Sequence, residues 1–155
     1  MKKLLIALDY SPSATLVAEQ GFQLADEMHA DVVLVHVLAD TTYYSSLNYS
    51  PITGFDSFNT MNVVQSSTEE ELKEAAHTYL NSYREHYNRP AAQVIVKEGE
   101  SASGILETAK EISADIIVLG THSRRGLDKI IMGSVASQVL NKSELPVFIV
   151  PVRGR

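Results

Sequence analysis

The sequence contains no cysteine. This absence excludes disulfide bonds, thiolate catalysis and cysteine-ligated zinc, and it is compatible with a reducing compartment. Basic residues are also few, because 13 lysines and arginines face 19 aspartates and glutamates, which gives a formal net charge of −6. Surfaces that bind nucleic acid are usually basic. We therefore expect no nucleic-acid partner.

Long apolar runs are missing as well. No segment approaches the ~18 apolar residues of a membrane-spanning helix. The opening MKKLLIALDY begins like a secretory signal, but its apolar run covers only residues 4–8 before Asp9. A signal peptide needs a run of at least ~7 residues followed by a small-residue cleavage site. We expect a cytoplasmic protein without a membrane partner.

Five short apolar segments recur along the chain, at residues 4–8, 32–38, 93–96, 116–120 and 147–150. They are rich in valine and isoleucine and nearly continuous, which is typical of strands buried on both faces of a parallel sheet. Segments with helical spacing separate them. The order βαβαβαβαβ predicts one parallel sheet with helices on both faces. The chain, residues 1–155, is predicted to form a single domain.

Each predicted helix has a start signal and an apolar face. Ser11 with Pro12 suits the first start, Thr68 with Glu71 forms a capping box for the second, and Ser101 suits the third. The residues predicted to face inward are Ala14, Val17, Ala18, Gly21, Leu24, Ala25 and Met28, then Leu72, Ala75, Ala76, Tyr79, Leu80 and Tyr83, then Ile105, Leu106, Ala109 and Ile112, and finally Val135, Ala136, Val139 and Leu140.

The segment from about 39 to 67 interrupts this pattern and is rich in tyrosine, serine and asparagine. Structureless loops longer than ~15 residues are uncommon in compact domains and often act as lids. The aromatic residues of this insertion suit a cover over a ligand, and they equally suit packing on the surface of the domain itself.

The stretch GTHSRRGLDKIIMGS, residues 120–134, carries the main functional signal. Gly120 ends a predicted strand, where glycine permits positive φ and close backbone approach. Gly133 and Ser134 stand at a predicted helix start, where unpaired amides and the helix dipole suit a phosphate. Arg124 and Arg125 add positive charge. The common GxGxxG and P-loop fingerprints are absent, so the residues alone leave a phosphate cradle and an ordinary crossover loop both open.

The chain resembles the universal stress protein family, a branch of adenine-nucleotide-binding α/β domains. The nucleotide-binding members carry Gly, two residues, Gly, nine residues, Gly and then Ser or Thr, and here Gly120, Ser123, Gly133 and Ser134 have that spacing. The segments IALDYSPSA, GTHSRRGL, MGSVA and LPVFIVPV are also similar to the family. The resemblance covers nearly the whole chain and is weakest across 39–67.

Ser123 is the departure, because the family motif has its second glycine there. A non-glycine residue in left-handed backbone costs roughly 1–2 kcal/mol. We therefore expect weakened or retuned nucleotide binding. Some family members lack the motif and do not bind ATP, so a nucleotide-free interaction module is the alternative.

The resemblance implies a Rossmann-like, doubly wound, five-stranded sheet with strand order 3-2-1-4-5. It also implies a stress-response protein that binds ATP or another adenine nucleotide, with Mg or Mn, as a switch or sensor, and that forms a homodimer through strand 147–151. By the same resemblance, the backbone near Ala7, Leu8 and Val37 would hold adenine, and Asp9 would face the ribose or a metal. Leu119 and Gly120 would flank the ribose, and the phosphates would lie against Ser123, Gly133, Ser134 and Val135, with His122 and Arg124 beside them.

Other chemistries have weaker support. Phosphoacceptor receiver domains need an acidic pair after the first strand, but Asp9 is followed by Tyr10. His36, inside an apolar run, is predicted to be a hydrogen-bonded core histidine rather than a catalyst. Glu69, Glu70, Glu71 and Glu74 indicate a solvated helix start rather than a metal site. No water-activating residue stands out, so any catalysis is expected to be slow ATP hydrolysis.

Overall fold

The computed structural model describes residues 1–39, 68–121 and 132–152. In order along these residues lie β1 (Lys3–Ala7), α1 (Ala14–Met28), β2 (Asp31–Leu38), α2 (Glu69–His86), β3 (Gln93–Glu98), α3 (Ser101–Glu111), β4 (Ile116–Gly120), α4 (Ser134–Lys142) and β5 (Val147–Val150). The lid prediction for 39–67, apart from Ala39, and the predictions for His122, Ser123, Arg124 and Arg125 lie outside the described residues.

The five strands form one parallel sheet in the order β3-β2-β1-β4-β5. This confirms the predicted α/β fold and its strand order. All five strands end at the same edge of the sheet, here called the carboxyl edge. The chain order reverses beside β1, whose neighbours are β2 and β4, and ligands of such sheets bind at this kind of switch point.

The core consists of two apolar layers, one on each face of the sheet. Alternate strand residues contribute to opposite layers: Leu4, Ile6 and Leu34 pack with α1 and α2, whereas Leu5, Val35 and Val37 pack with α3 and α4. Two glycines let helices approach the sheet closely. A Cβ added at Gly21 would lie 2.5 Å from Ile6 Cδ1, and one added at Gly104 would lie 2.8 Å from Val37 Cγ2.

The predicted inner faces of the helices are largely confirmed. Phe22, which the sequence analysis did not include, is buried on α1. Leu24, Met28, Leu106, Ile112 and Val135 are partly buried against the core. The prediction for Leu140 was wrong, because its side chain is 42% exposed. Val139 points into the core, and a residue one step further along a helix is rotated by about 100°.

Helix starts agree with the prediction only in part. The Thr68 side chain caps α2 by accepting from the Glu71 amide at 3.3 Å, as predicted. Ser11 does not cap α1, which begins at Ala14, because the Ser11 hydroxyl donates to Asp9 Oδ1 instead. Ser101 does not cap α3 either. Glu100 does so, accepting from the Ala102 and Ser103 amides at 3.1 and 2.8 Å.

Candidate functional site

A cleft of about 980 Å³ opens at the carboxyl edge of the sheet. Residues that follow β1, β2, β3 and β4 line it, together with the start of α4. The structure brings together in this cleft all the predicted site residues that it describes, namely Ala7, Leu8, Asp9, Val37, Leu119, Gly120, Gly133, Ser134 and Val135. His122, Ser123 and Arg124 lie outside the described residues.

The floor of the cleft is a notch where β1 stops before its neighbours do. The last bond from β1 to β2 joins the Leu8 amide to the Val35 carbonyl at 2.9 Å. In a parallel strand, alternate residues direct their backbone groups to opposite neighbours. The Leu38 carbonyl bonds to Gly99 at the end of β3, so the Val37 amide and carbonyl point the other way, beyond the end of β1.

The opposite wall of the notch follows the same rule. The Thr121 amide donates to the Val150 carbonyl on the β5 side at 3.0 Å. The backbone groups of the preceding residue, Gly120, therefore point towards β1. Polar backbone groups from β2 and β4 thus face each other above Leu8.

The His36 side chain fixes the residue that directly follows β1. Its Nδ1 lies 2.7 Å from the Leu8 carbonyl oxygen, and because a carbonyl only accepts, Nδ1 carries the proton. The side chain is buried, and among the described residues Nε2 has no hydrogen-bond partner. Burial lowers the pKa of His36, so the ring is a neutral imidazole. The prediction of a hydrogen-bonded core histidine is confirmed.

The next carbonyl of the chain, that of Asp9, is held from α2. The Tyr79 hydroxyl donates to it at 2.5 Å. The Tyr83 hydroxyl lies 3.2 Å from that of Tyr79, and Thr15 Oγ1 lies 3.3 Å from that of Tyr83. Burial raises the pKa of Tyr79, so this hydroxyl stays a donor. The chain leaving β1 is therefore fixed by side chains from both β2 and α2.

The N-cap residue of α4 offers no side-chain cap. This residue is Gly133, and the first turn of the helix holds no acidic residue. The first amides of a helix have no partner within the helix, and they form the positive end of its dipole. An anion that enters the cleft meets these amides.

Asp9 borders the cleft with an exposed side chain. Its Oδ1 accepts from the Ser11 amide at 3.0 Å and from the Ser11 hydroxyl at 2.6 Å. Because α1 begins only at Ala14, these two bonds stabilise the loop before the helix and do not cap the helix itself. The carboxylate is thereby held at the rim of the cleft.

Gly120 serves close packing rather than an unusual backbone angle. A Cβ there would lie 2.7 Å from Val17 Cγ2 and 3.4 Å from Val152 Cγ2. Of the described glycines, positive φ occurs at Gly99 alone. The expected close approach at Gly120 is therefore present, and the expected freedom to adopt positive φ is not used.

Several cleft residues were missed by the sequence analysis, among them Thr121 and a second group at the end of β3. Thr121 is buried after β4, and its Oγ1 accepts from the Val152 amide at 2.8 Å. Gly99, Glu100 and Ser101 reach the cleft from the end of β3. The signal for the second group was available, because every strand of a parallel sheet ends at the same edge and β3 was predicted as a strand.

The described ranges hold no cluster of three or more histidine, aspartate or glutamate side chains that could bind a metal ion. None of the helices in these ranges has a long enough apolar stretch to cross a bilayer.

A sequence profile of the Universal stress protein family matches residues 1–151. The chain belongs to the universal stress protein family. It is similar to a universal stress protein of Methanocaldococcus jannaschii, with 28% identity over 149 residues that cover 96% of this chain and 81% of the relative. The resemblance seen in the sequence is therefore confirmed at the level of the family.

Solved structures of universal stress proteins share this fold. One from Archaeoglobus fulgidus, in complex with dAMP, superposes with a TM-score of 0.60 at 21% identity, covering 96% of this chain and 97% of that one. Another, in complex with cAMP, gives a TM-score of 0.59 at 19% identity, covering 96% of each chain. At these identities the likeness establishes a universal stress protein fold.

Proposed function

We propose that this universal stress protein binds an adenine nucleotide, ATP with a divalent metal ion, in the cleft at the carboxyl edge. The observation that carries the proposal is the convergence of two open backbone features in one cleft. These are the notch above Leu8 and the uncapped start of α4. The first suits a purine and the second suits its phosphates.

The notch offers what a purine base needs. The Val37 amide and carbonyl present one donor and one acceptor side by side, which matches the ring nitrogen and amino group on one edge of adenine. Leu8 and Leu119 supply apolar surface to the same cleft. Small-molecule sites commonly combine mostly apolar walls with a few such polar groups.

The start of α4 suits the phosphates. Its free amides and dipole attract anions, and the hydroxyl of Ser134 adds a donor at the first helical position. Arg124 and Arg125, in the sequence between β4 and α4, add positive charge to an acidic chain. Asp9 is the carboxylate at the cleft that would contact the ribose or a Mg or Mn ion.

The dAMP and cAMP complexes of two structural neighbours support an adenine nucleotide as the ligand class. The triphosphate, the metal ion and the role as a switch or sensor are our extension. Nucleotide phosphates at the start of α4 would alter a surface that faces a protein partner.

Isothermal titration calorimetry tests the proposal directly. The purified protein is titrated with ATP and AMP, each with and without magnesium. We expect saturable heat with ATP, and GTP is the matched control for the base. The absence of heat with every adenine nucleotide at high micromolar concentration would contradict the proposal. Mass spectrometry of small molecules that copurify with the protein identifies a resident nucleotide independently.

Ser123 supports a second candidate, a nucleotide-free interaction module of the same fold. If left-handed backbone is needed at this position, glycine would recover roughly 1–2 kcal/mol, which is about a tenfold gain in affinity. We expect Ser123→Gly to bind ATP about tenfold more tightly than the natural chain. Binding that is seen only in Ser123→Gly would favour the interaction module.

ATP hydrolysis is tested separately by phosphate release above a buffer blank. The proposal expects slow release at most. Release that is lost in Gly133→Val would instead favour an enzyme.

Homodimer formation is proposed from the outer strand β5. It lies at the edge of the sheet, and Phe148 on it is an exposed large apolar side chain. Exposed apolar edges tend to be paired or covered, and pairing of residues 147–151 with a second copy is the expected two-fold arrangement. A monomeric mass in light scattering would contradict it, whereas Phe148→Lys is expected to convert a dimer into monomers.

A further inference from the structure

We propose that His36 is a positioning residue for the base end of the cleft. By donating Nδ1–H to the Leu8 carbonyl, it ends the β1–β2 ladder one bond early and leaves the Val37 amide for the ligand. This inference deepens the proposed function and rests on it for the identity of that ligand. The early end of the β1–β2 hydrogen-bond ladder, here called the arrest of the ladder, is a property of the protein without nucleotide.

The register of the sheet shows where the ladder stops. The paired residues of β1 and β2 end at Ala7 and Val35. The Leu8 amide still bonds to the Val35 carbonyl. The next bond of a regular parallel ladder would run from the Val37 amide back to the Leu8 carbonyl, and the paired register ends before it. The His36 ring occupies that carbonyl instead.

Burial explains why the ring keeps this bond. His36 is 4% exposed, and Nε2 already lacks a partner among the described residues. If the ring gave up the Leu8 carbonyl, Nδ1–H would be a second buried group without a partner. An unpaired buried polar group is costly. The Val37 amide, by contrast, borders a cleft that a ligand can enter.

Aromatic contacts hold the ring in this orientation. The Tyr10 ring lies over His36 with a centroid distance of 4.1 Å, and Tyr79 meets it edge-on at 6.2 Å. Tyr79 also holds the next carbonyl, that of Asp9. Both carbonyls at the exit of β1 therefore accept from side chains, which fixes the chain where it leaves the sheet.

Three substitutions separate the hydrogen bond from the bulk of the ring. His36→Asn keeps a donor at the position of Nδ1. His36→Gln is the matched control, since its amide reaches the position of Nε2 and not the Leu8 carbonyl. His36→Leu removes the donor altogether. Thermal unfolding of all three, with amide exchange at Leu34 in the middle of β2, shows whether the sheet is intact.

The first measurement is hydrogen exchange of the Val37 amide in the protein without nucleotide. We expect fast exchange in the natural chain and in His36→Asn. In His36→Gln and His36→Leu, the Leu8 carbonyl accepts from Val37 and the ladder gains a bond, so exchange slows by at least ~10-fold relative to Leu34. Equal Val37 exchange in the natural chain and in His36→Gln and His36→Leu overturns the inference, whether or not nucleotides bind.

The second measurement is the affinity for AMP by calorimetry. We expect His36→Gln and His36→Leu to bind about tenfold more weakly, because one hydrogen bond to the base is lost, and His36→Asn to stay close to the natural chain. An unchanged affinity in His36→Leu, with slowed Val37 exchange, overturns the positioning role. If the natural chain binds no adenine nucleotide but the exchange pattern appears as expected, the proposed function fails while the arrest of the ladder stands.

Discussion

The two halves of the carboxyl edge treat their unpaired backbone groups in opposite ways. In the half around β3, side chains of the protein itself satisfy the helix starts: Thr68 caps α2, and Glu100 caps α3. In the half around β1 and β4, the N-cap residue of α4 is Gly133, which has no side chain that could cap the helix. Side chains therefore cap the helix N-termini around β3, whereas the N-cap residue of α4 supplies no such cap.

Charge follows the same division. Glu69, Glu70 and Glu71 occupy the first turn of α2, and Glu98 lies beside them at the end of β3. Lys73 contacts both Glu70, at 3.8 Å, and Glu98, at 3.2 Å, so carboxyl groups from α2 and β3 lie around one lysine. The first turn of α4 holds no acidic residue. Fold alone therefore does not choose the proposed ligand site, because both halves contain helix starts and they differ in their caps and in the charge of the first turn.

Adding a side-chain cap to α4 should have the largest effect, which is a loss of ATP affinity. In Gly133→Asp, the new carboxylate would cap α4 as Glu100 caps α3, and it would repel phosphate. The loss of two charge-assisted hydrogen bonds corresponds to about 3 kcal/mol, and we expect ATP to bind roughly 100-fold more weakly by calorimetry. Stability towards urea should not fall, since aspartate is a favourable N-cap.

Gly133→Asn is the matched control. Asparagine also caps a helix but brings no charge, so it separates occupation of the amides from repulsion. The order of affinity should be natural chain, then Gly133→Asn, then Gly133→Asp. Equal ATP affinity in all three proteins would mean that the start of α4 does not bind phosphate.

Low pH should reduce the contribution of His36 to the stability of the folded protein. Burial lowers the pKa of His36 in the folded protein below the value of about 6.5 of an unfolded chain. Its contribution to stability is therefore complete above about pH 6.5 and is lost as the pH falls, by at most ~1.4 kcal/mol per pH unit. Urea unfolding between pH 7.5 and 5 measures this slope.

His36→Asn is the comparison for that slope, because it keeps the bond to Leu8 but does not titrate. We expect its stability to depend less steeply on pH than that of the natural chain. Parallel curves for the two proteins would show that His36 does not take up a proton on unfolding.

Removing the side-chain caps of α2 and α3 should have the smallest effect, which is a modest loss of stability. Thr68→Ala and Glu100→Ala each remove a cap and should lower the free energy of unfolding by about 1 kcal/mol. Ser13→Ala is the control, because Ser13 stands at the start of α1 without a side-chain bond to it. A loss of stability in Ser13→Ala as large as in the two cap variants would remove the distinction between the two kinds of start.

The fold was predictable because its signals are local. Continuous apolar runs separated by amphipathic helices indicate a parallel sheet wherever they occur. The candidate cleft was predictable where it depends on strand ends and helix starts, and for this reason Leu8, Val37 and Gly133 were expected to lie together, as they do. That they bind a nucleotide remains a prediction.

What escaped prediction depends on contacts between distant parts of the chain. Tyr79 bonds to Asp9 across 70 positions, and no local pattern marks that pair. Glu100 was missed because serine is the more usual cap, and Ser101 next to it drew the prediction. The reason for glycine at position 120 also depends on distant residues, because a Cβ there would contact the side chains of Val17 and Val152.

Gly104 carries a consequence beyond packing. A side chain there would overlap both methyl groups of Val37, at 2.8 and 2.9 Å, so the α3 backbone packs directly on the Val37 side chain. Because no side chain of Gly104 stands between them, a shift of α3 would act directly on Val37, which lines the cleft.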